Sequence, residues 1–547
     1  MSARTVLTTL ALVTTTAVAP LVPHAAASSP GASTERGASV EAIIIDPPRT
    51  GPDLPAYGPR NAKTSRLATT GDAFDLHSDP SADRIIFLDF DGQRVANTLW
   101  NDQEGLPAAT YEGWSLDADP GFSPTERAFI REVWLAVAED FAPFQVDVTT
   151  EDPGDAAIER SGPNDSTYGT RALITNDDQP LQVICNNECS GVAYPGAFAE
   201  SNEHAYLQPA WIFGQIQSSQ TPKPLAETIS HEVGHQFNLS HDGRGSADYY
   251  EGHDIWAPIM GFSDYVPVTQ WSDGAYADWV TDADFQPTKD DIAVIAESGA
   301  PLRPDEAGPR PDSAAPVTSA TAFITTRQDK DVWSLGTCVG PLTIKVSPAP
   351  FAPNLDLELT LLEQNGTRLA TDNPPSFQDG DDLDTAGGMG ASITREATGA
   401  PLFASVDGIG TGSPSTAYDD FGSVGAYTID VTGCEGDPGP DPVATTPGAP
   451  VIGSPIRGSR GRPYTVGIRW SPPSSDGGSA ITGYVVYFDR VDAYGTVLKS
   501  FYSNRLDAGR RDATFKVARG LYRFRVVAVN AEGEGDLSVA STTVKAR

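Results

Sequence analysis

The sequence predicts a multidomain protein, with one α/β (α+β) layer domain followed by two all-β sandwich domains. Three observations carry that expectation. The chain has 547 residues, more than one hydrophobic core organises. Up to about residue 300, strand-like apolar runs alternate with helix-length amphipathic stretches, which is the pattern of a layered α/β domain. Beyond that point short alternating runs take over, separated by Gly, Pro and Asp turns, which is the pattern of sandwiches.

The chain opens with Arg4 and a mostly apolar stretch from Val6 to Val22, followed by Ala25, Ala26 and Ala27. This reads as a secretory signal peptide over residues 1–27. No later stretch is long and apolar enough to span a bilayer. The expected product is a secreted, extracellular protein whose four cysteines form disulfides. Residues 28–80 are rich in Ser, Ala, Pro, Gly and Arg without sustained periodicity, and read as a pro-segment or as disordered.

The layer domain is expected over residues 81–300. "RIIFLDF" from Arg84 is a buried strand. Pro124 to Phe141 spaces Phe129, Val133, Val137 and Phe141 four apart, as an amphipathic helix does. "QVDVTT" (Gln145 to Thr150) and "RALIT" (Arg171 to Thr175) are further strands. "TKDDIAVIAES" closes the domain as a helix with Thr288 as N-cap. Residues 301–435 hold "DVWSL", "LTIKV", "DLELTLL" and "AYTIDV", the strands of the first sandwich. Cys338 and Cys434 bracket it and are expected to pair, closing a loop worth about 4 to 5 kcal/mol on the entropic account. Cys185 and Cys189 are expected to pair locally, the alternative being a CxxxC ligand pair for zinc. Residues 436–449 are a Pro-rich linker, and 450–547 a second β unit.

Charge excludes some partners. With 73 acidic against 37 basic residues the net charge is -36, which argues against nucleic acid and against anionic membrane. The plain reading of these acids is a solvated surface. Calcium is the sharper one, and acidic loops alone do not establish it.

The chemistry concentrates in "HEVGHQFNLSHDG", His231 to Gly243, which holds three of the seven histidines. On a helix His231 and His235 share a face. A catalytic zinc needs three protein ligands and one open position. His241 supplies the third only if the chain leaves the helix and turns back, because ten residues of helix would carry it about 15 Å away. That turn needs a left-handed residue. Glycine is best there, and Asn238 is the next most tolerated, at a cost of about 1 kcal/mol. Plain histidines on a helix without metal are the alternative.

HExxHxxNxxHD resembles the metzincin zinc peptidases, with Asn238 as the departure from their HExxHxxGxxH. "APIMGF" resembles their methionine turn, with Met260 at the base of the site. Phe262 stands where astacins and serralysins have a tyrosine ligand, and Tyr265 does not replace it. Asp242, directly after the third histidine, matches the reprolysin-like branch and is expected to fix local structure. "SGVAYPGAF" is similar to the strand that bounds the cleft in that branch. The resemblance covers about Ile85 to Ala296. It implies a mixed sheet with an active-site helix and one catalytic Zn²⁺ on His231, His235 and His241. It also implies Glu232 as general base, a protein or peptide substrate extended along Gly191, Val192, Ala193 and Tyr194, and peptide-bond hydrolysis. His204 and His253 are bystanders or substrate contacts. Residues 28–80 contain no cysteine to block the metal as a thiolate, and His77 or Asp75 could do so instead.

Three other readings compete. Glu251 as a later ligand would make the protein a gluzincin, but it lies in "DYYEGHD", which is no helix. A closed structural zinc site lacks an adjacent fourth ligand. A secreted binding or adhesion protein with an inactive metzincin-like domain suits the β units, and intact Glu232 argues against it. Those units, expected to bind an extracellular surface or polysaccharide or to act as spacers, resemble known modules. "GIRWSPP" with Trp470, "ITGYVVYF" and "YRFRVVAVNAEGEG" with Tyr522 resemble a fibronectin type III domain. The preceding unit, ending in "GAYTIDVTG", resembles the bacterial pre-peptidase C-terminal domain.

Overall fold

The computed structural model describes residues 43–47, 73–117, 121–215, 221–244, 247–276, 290–317, 320–380, 382–413, 416–434, 446–458, 463–473, 481–492, 497–530, 533–535 and 537–546. The expected signal peptide at 1–27, most of 28–80 and most of the linker at 436–449 lie outside them.

A mixed six-stranded sheet forms the first layer. Its strands are β1 (Ile44–Asp46), β2 (Arg84–Asp89), β3 (Asp147–Thr149), β4 (Tyr168–Thr175), β5 (Gly191–Ala193) and β6 (Ala210–Phe213), in spatial order β1-β5-β6-β4-β2-β3. Strands β3, β2, β4 and β6 run parallel, β5 runs antiparallel to β6, and β1 runs antiparallel to β5. All eight residues of β4 are buried, as expected for a parallel strand covered on both faces.

Helix α1 (Pro124–Asp140) begins in a capping box written in the sequence as Ser-Pro-Thr-Glu. The Ser123 N–H donates to Glu126 Oε2 at 2.7 Å, and the Glu126 N–H to Ser123 Oγ at 3.2 Å. Its apolar face, with Phe129, Val133 and Val137, is fully buried, and Trp134 Nε1 donates to Val148 O of β3 at 2.8 Å. Helix α2 (Asp178–Cys185) ends at the Cys185–Cys189 disulfide. Helix α3 (Pro222–Gln236) has every residue buried. Helix α4 (Asp291–Glu297) is capped by Asp290, whose side chain accepts the Ala293 N–H, so Thr288, outside the described residues, is not its N-cap.

Residues 28–80, expected as a pro-segment or as disordered, carry ordered backbone at two places. Residues 44–46 form β1 on the sheet edge. Residues 73–80 lie along β3. Leu76 is buried, its N–H donates to Thr150 Oγ1, and its carbonyl accepts the Thr150 N–H. A backbone that finds an open ladder edge and a buried apolar side chain gains enough to be ordered, whatever the composition around it.

The first β unit is built on β10 (Lys330–Pro348) and β13 (Ala391–Gly408), two long bent strands that pair along most of their length through two register shifts. Strands β9 (Ala322–Ile324), β14 (Gly425–Thr432), β11 (Leu357–Glu363) and β12 (Arg368–Asp372) complete the order β9-β14-β10-β13-β11-β12. Cys338 and Cys434 are bonded, as expected. One apolar core runs without a break from α1 and α3 through Phe141 and Trp271 to Phe351, Leu355 and Leu357 of this unit.

The last unit has its own core around Trp470, Tyr484, Phe488 and Phe524. Tyr522, at the start of β19 (Leu521–Val529), donates its hydroxyl to Ala518 O at 3.0 Å, which ties the strand to the chain just before it.

His77 holds the 73–80 segment in place. Its Nδ1 meets Asp147 Oδ2 at 2.6 Å and its Nε2 meets Glu151 Oε2 at 2.8 Å. The Asp147 bond is the main cause that raises its pKa, to about 9, against the opposing effect of burial. The folded state therefore holds the proton more tightly than the unfolded chain. The stabilisation is full below the ordinary histidine pKa of 6.5 and is lost as pH rises through about 9. Because the pair is partly screened by water, His77→Gln should cost about 1 kcal/mol at pH 6. Thermal unfolding of the two proteins, followed by circular dichroism from pH 6 to 9.5 (roughly the window this linkage sets), should show the difference vanish at the alkaline end.

Candidate metal centre

Helix α3 aims His231 and His235 at one point, as their spacing of four requires. The helix then ends in a Schellman turn. Asn238 takes φ 70°, its N–H donates to His235 O at 2.7 Å, and the Leu239 N–H reaches back to Gly234 O at 3.0 Å. The expected left-handed residue is thus Asn238 itself. The chain returns along the site and brings His241 beside the other two.

His235 Nε2 and His241 Nε2 are 3.2 Å apart. Two donors on a tetrahedral zinc, each about 2.0–2.1 Å from the metal, sit about 3.3 Å from each other. The remaining ring nitrogens set the tautomer. His231 Nδ1 meets Ile259 O at 2.8 Å and His235 Nδ1 meets Leu239 O at 2.9 Å. A carbonyl accepts only, so both Nδ1 atoms carry the hydrogen and both Nε2 lone pairs face the centre. Donor type, separation and tautomer all fit zinc.

Met260 lies beneath, fully buried, and a Cβ on Gly234 would fall 2.6 Å from its sulfur. The glycine of HEVGH is therefore what lets the helix rest on the methionine. Glu232 is buried on the opposite side, against β5, where a methyl on Gly191 would collide with its Oε1. Asp242 holds the returning chain. Its N–H donates to Met260 O at 2.8 Å and its carbonyl accepts the Tyr250 N–H at 2.7 Å. Burial pushes its carboxyl pKa up, with a bond from Tyr276 opposing.

Two residues at the centre were not anticipated. Asp46 of β1 places its carboxylate among the histidines, with Oδ1 at 3.2 Å from His231 Nε2 and 2.9 Å from His241 Nε2, and Oδ2 at 3.5 Å from His235 Nε2. Burial alone would raise its carboxyl pKa, and the histidines around it hold it well below the usual carboxylate range. Tyr249 sets its ring, tilted by 37°, 4.2 Å from that of His241 and donates its hydroxyl to Asp46 Oδ1 at 2.6 Å. The apolar "AIII" run ahead of Asp46 was the available strand signal.

Other candidates lie elsewhere. His204 is buried beneath Tyr168, and burial lowers its pKa to about 4. His253 accepts or donates at Tyr250 and meets Ala417 O of the β10–β13 unit at 2.6 Å. His77 and Asp75 group with Glu151, away from the three histidines, and neither is the blocking group. Glu251 is exposed and does not join the histidine group, and Tyr265 packs on Phe262. Acidic side chains do converge at Asp305, Asp329 and Asp331, where ligand atoms lie within 4.8 Å of one another.

The bend makes a checkable statement. Because Asn238 already occupies the left-handed region, Asn238→Gly should leave zinc affinity within about threefold of wild type. Asn238→Val, a β-branched residue for which this conformation is strained, should weaken it by roughly tenfold or more. Competition with a chromogenic chelator measures both.

Residues 147–242, which include all three histidines, match the family model described as metallo-peptidase family M12B, reprolysin-like, and residues 454–544 match the fibronectin type III domain. Among solved structures the chain is similar to titin kinase and its flanking domains, at 26% identity over 18% of this chain and 17% of that one, with a TM-score of 0.15. It is similar to the twitchin kinase region from C. elegans at 24% identity over 18% and 16%, TM-score 0.15. The FN5 domain of Drosophila Lar is 22% identical over 18% of this chain and 96% of that one, TM-score 0.14. The chain spans less than a fifth of the length of the two kinase structures. It is thus similar to M12B reprolysin-like metallopeptidases over the segment that carries the histidines, and to fibronectin type III domains near its C-terminus.

Proposed function

We propose that this chain is a secreted zinc-dependent endopeptidase that hydrolyses peptide bonds of extracellular proteins, with His231, His235 and His241 as metal ligands and Glu232 as general base. One observation carries the reading. Three imidazoles converge, one pair of them at the donor spacing of a tetrahedral zinc, with the carboxylate of the intervening Glu232 buried against Gly191 of β5. Zinc in such a site supplies Lewis-acid polarisation of a carbonyl and acidifies water.

The chain's own groups do the rest. The carbonyls of Ile259 and Leu239 hold two imidazoles in place. The backbone of β5, paired here with β1 and β6, carries the N–H and C=O groups that an extended substrate in the place of β1 would use, fixing the reacting amide by strand addition. Glu232, packed on Gly191, takes a proton from the attacking water and returns it to the leaving amine. Its burial keeps bulk water from competing for that proton. The signal-like N-terminus and the two disulfides support export.

Zinc content and casein cleavage decide the matter. Wild type should bind one zinc, and a chelator should abolish its cleavage. Glu232→Ala should keep the zinc and lose roughly 10²–10⁴-fold in rate. Gly191→Ala, which displaces Glu232 without touching a ligand, should retain zinc and lose activity in the same direction. Bound zinc without cleavage of any protein would leave the binding-module reading.

A further inference from the structure

Helix α3 carries two of the three histidines, and its rotation about its own axis decides where they point. A side-chain tip lies about 5–6 Å from a helix axis, so a rotation of about 10° shifts it by about 1 Å. A zinc–nitrogen bond tolerates about 0.2 Å. His241 does not turn with the helix, because it lies beyond the bend at Asn238. The helix must therefore be held at one angle. Part of that hold is local, since Glu227 accepts from Ser263 and Thr269, and Gln236 from Thr170. The turn that carries the first ligand is also tied farther away. Ser230, fully buried and directly before His231, donates its hydroxyl to Asp140 Oδ2 at 2.5 Å. The other oxygen of that carboxyl, Oδ1, accepts from Asn354 Nδ2 at 2.8 Å. Asn354 lies between β10 and β11 and is itself clamped. Its carbonyl accepts from Gln270 Nε2 at 2.6 Å, and its N–H faces Glu139 Oε1 at 3.4 Å.

We propose that Asn354 and Asp140 are positioning residues of the metal centre. Acting through Ser230, they set the angle at which α3 presents His231 and His235, so the β10–β13 unit is a working part of the centre rather than an appended module. The inference rests on the zinc reading above. Asp140 and Asn354 are each 2% exposed, so a bond lost between them is not replaced by bulk water. Without Asn354 Nδ2, Asp140 Oδ1 is left bare in the interior. The carboxyl then turns toward another donor and takes Ser230 with it. None of the three residues supplies a metal ligand, so a loss of metal affinity on altering them reports the angle of the helix.

The test uses the full chain. Zinc affinity is read by competition with a chromogenic chelator, coordination by the visible spectrum of the Co²⁺ form, and folding by circular dichroism. Asn354→Leu removes the donor at similar size, Asn354→Asp sets a second acid against Asp140, and Ser230→Ala cuts the tie at the helix. Each should weaken zinc by roughly 10–100-fold and shift the cobalt spectrum. The exchange Asp140→Asn with Asn354→Asp restores an acceptor for Ser230 and a donor within the pair. It should return zinc affinity to within about threefold of wild type, and the spectrum with it. A network that served stability alone would lower the melting temperature and leave metal affinity and spectrum unchanged. That result in Ser230→Ala, the mildest of the variants, would overturn the proposal. So would an exchange variant that folds as wild type does without recovering zinc affinity. Wild type that takes up neither metal would overturn the zinc reading and this inference together. Variants that weaken the metal as expected, in a chain that never cleaves casein, would support the positioning and count against the peptidase reading alone.

Discussion

The left-handed turn at Asn238 is the constraint on which the metal centre depends. A continuous helix can present two histidines to one point but never a third ten residues on. Ending α3 in a Schellman turn reverses the chain in the space of two residues and satisfies the carbonyls of Gly234 and His235 on the way. The carbonyl of Leu239, one residue past the bend, then returns to fix His235 Nδ1. The turn therefore sets both the position of His241 and the tautomer of His235. Gly234 adds its own condition one turn earlier, because only a missing side chain lets the helix sit on Met260.

The wholly buried helix brings a second requirement. Lys223 has no exposed surface and is neutralised by Glu227 at 3.1 Å, with Thr269 bonded to both. Ser230, next to the first ligand, donates to Asp140 of α1, and Asp140 also accepts from Asn354 of the β10–β13 unit at 2.8 Å. Glu139 accepts the Ala426 N–H of that unit at 3.2 Å. Burial raises the pKa of both carboxyls, and Glu227 adds to it for Asp140. The β unit is thus the source of donors for two acids that the α/β layer cannot satisfy alone. The apolar core is continuous across the same boundary.

Much of this was legible. Helix period and histidine spacing brought His231 and His235 to one point, the asparagine bend followed from what a third converging histidine requires, and the methionine beneath came from the resemblance to metzincins. The Ser-Pro-Thr-Glu box and the Cys185–Cys189 disulfide are written locally, and the tyrosine tie at Tyr522 came from the resemblance to fibronectin type III domains. Asp46 was not legible, because it lies 185 positions before His231 in a stretch whose composition reads as disorder. Only the sheet edge tells its three-residue run where to go. Tyr249 was hidden for a similar reason, since a loop aromatic carries no periodicity. Glu139 and Asp140 close an amphipathic helix, a position where acidic side chains are ordinarily solvated. Their burial comes from a unit more than 200 residues away, and no local pattern announces it.

The strand at residues 44–46 has a consequence for the protein as a solute. A molecule that takes extended peptides by strand addition must keep one ladder of N–H and C=O groups unpaired, and such ladders on neighbouring molecules also join one another. Strand β5 is three residues long, which limits how much edge it can offer, and β1 covers all three positions. The pairing therefore leaves no ladder on β5 to which a second copy of the chain could add its own strand.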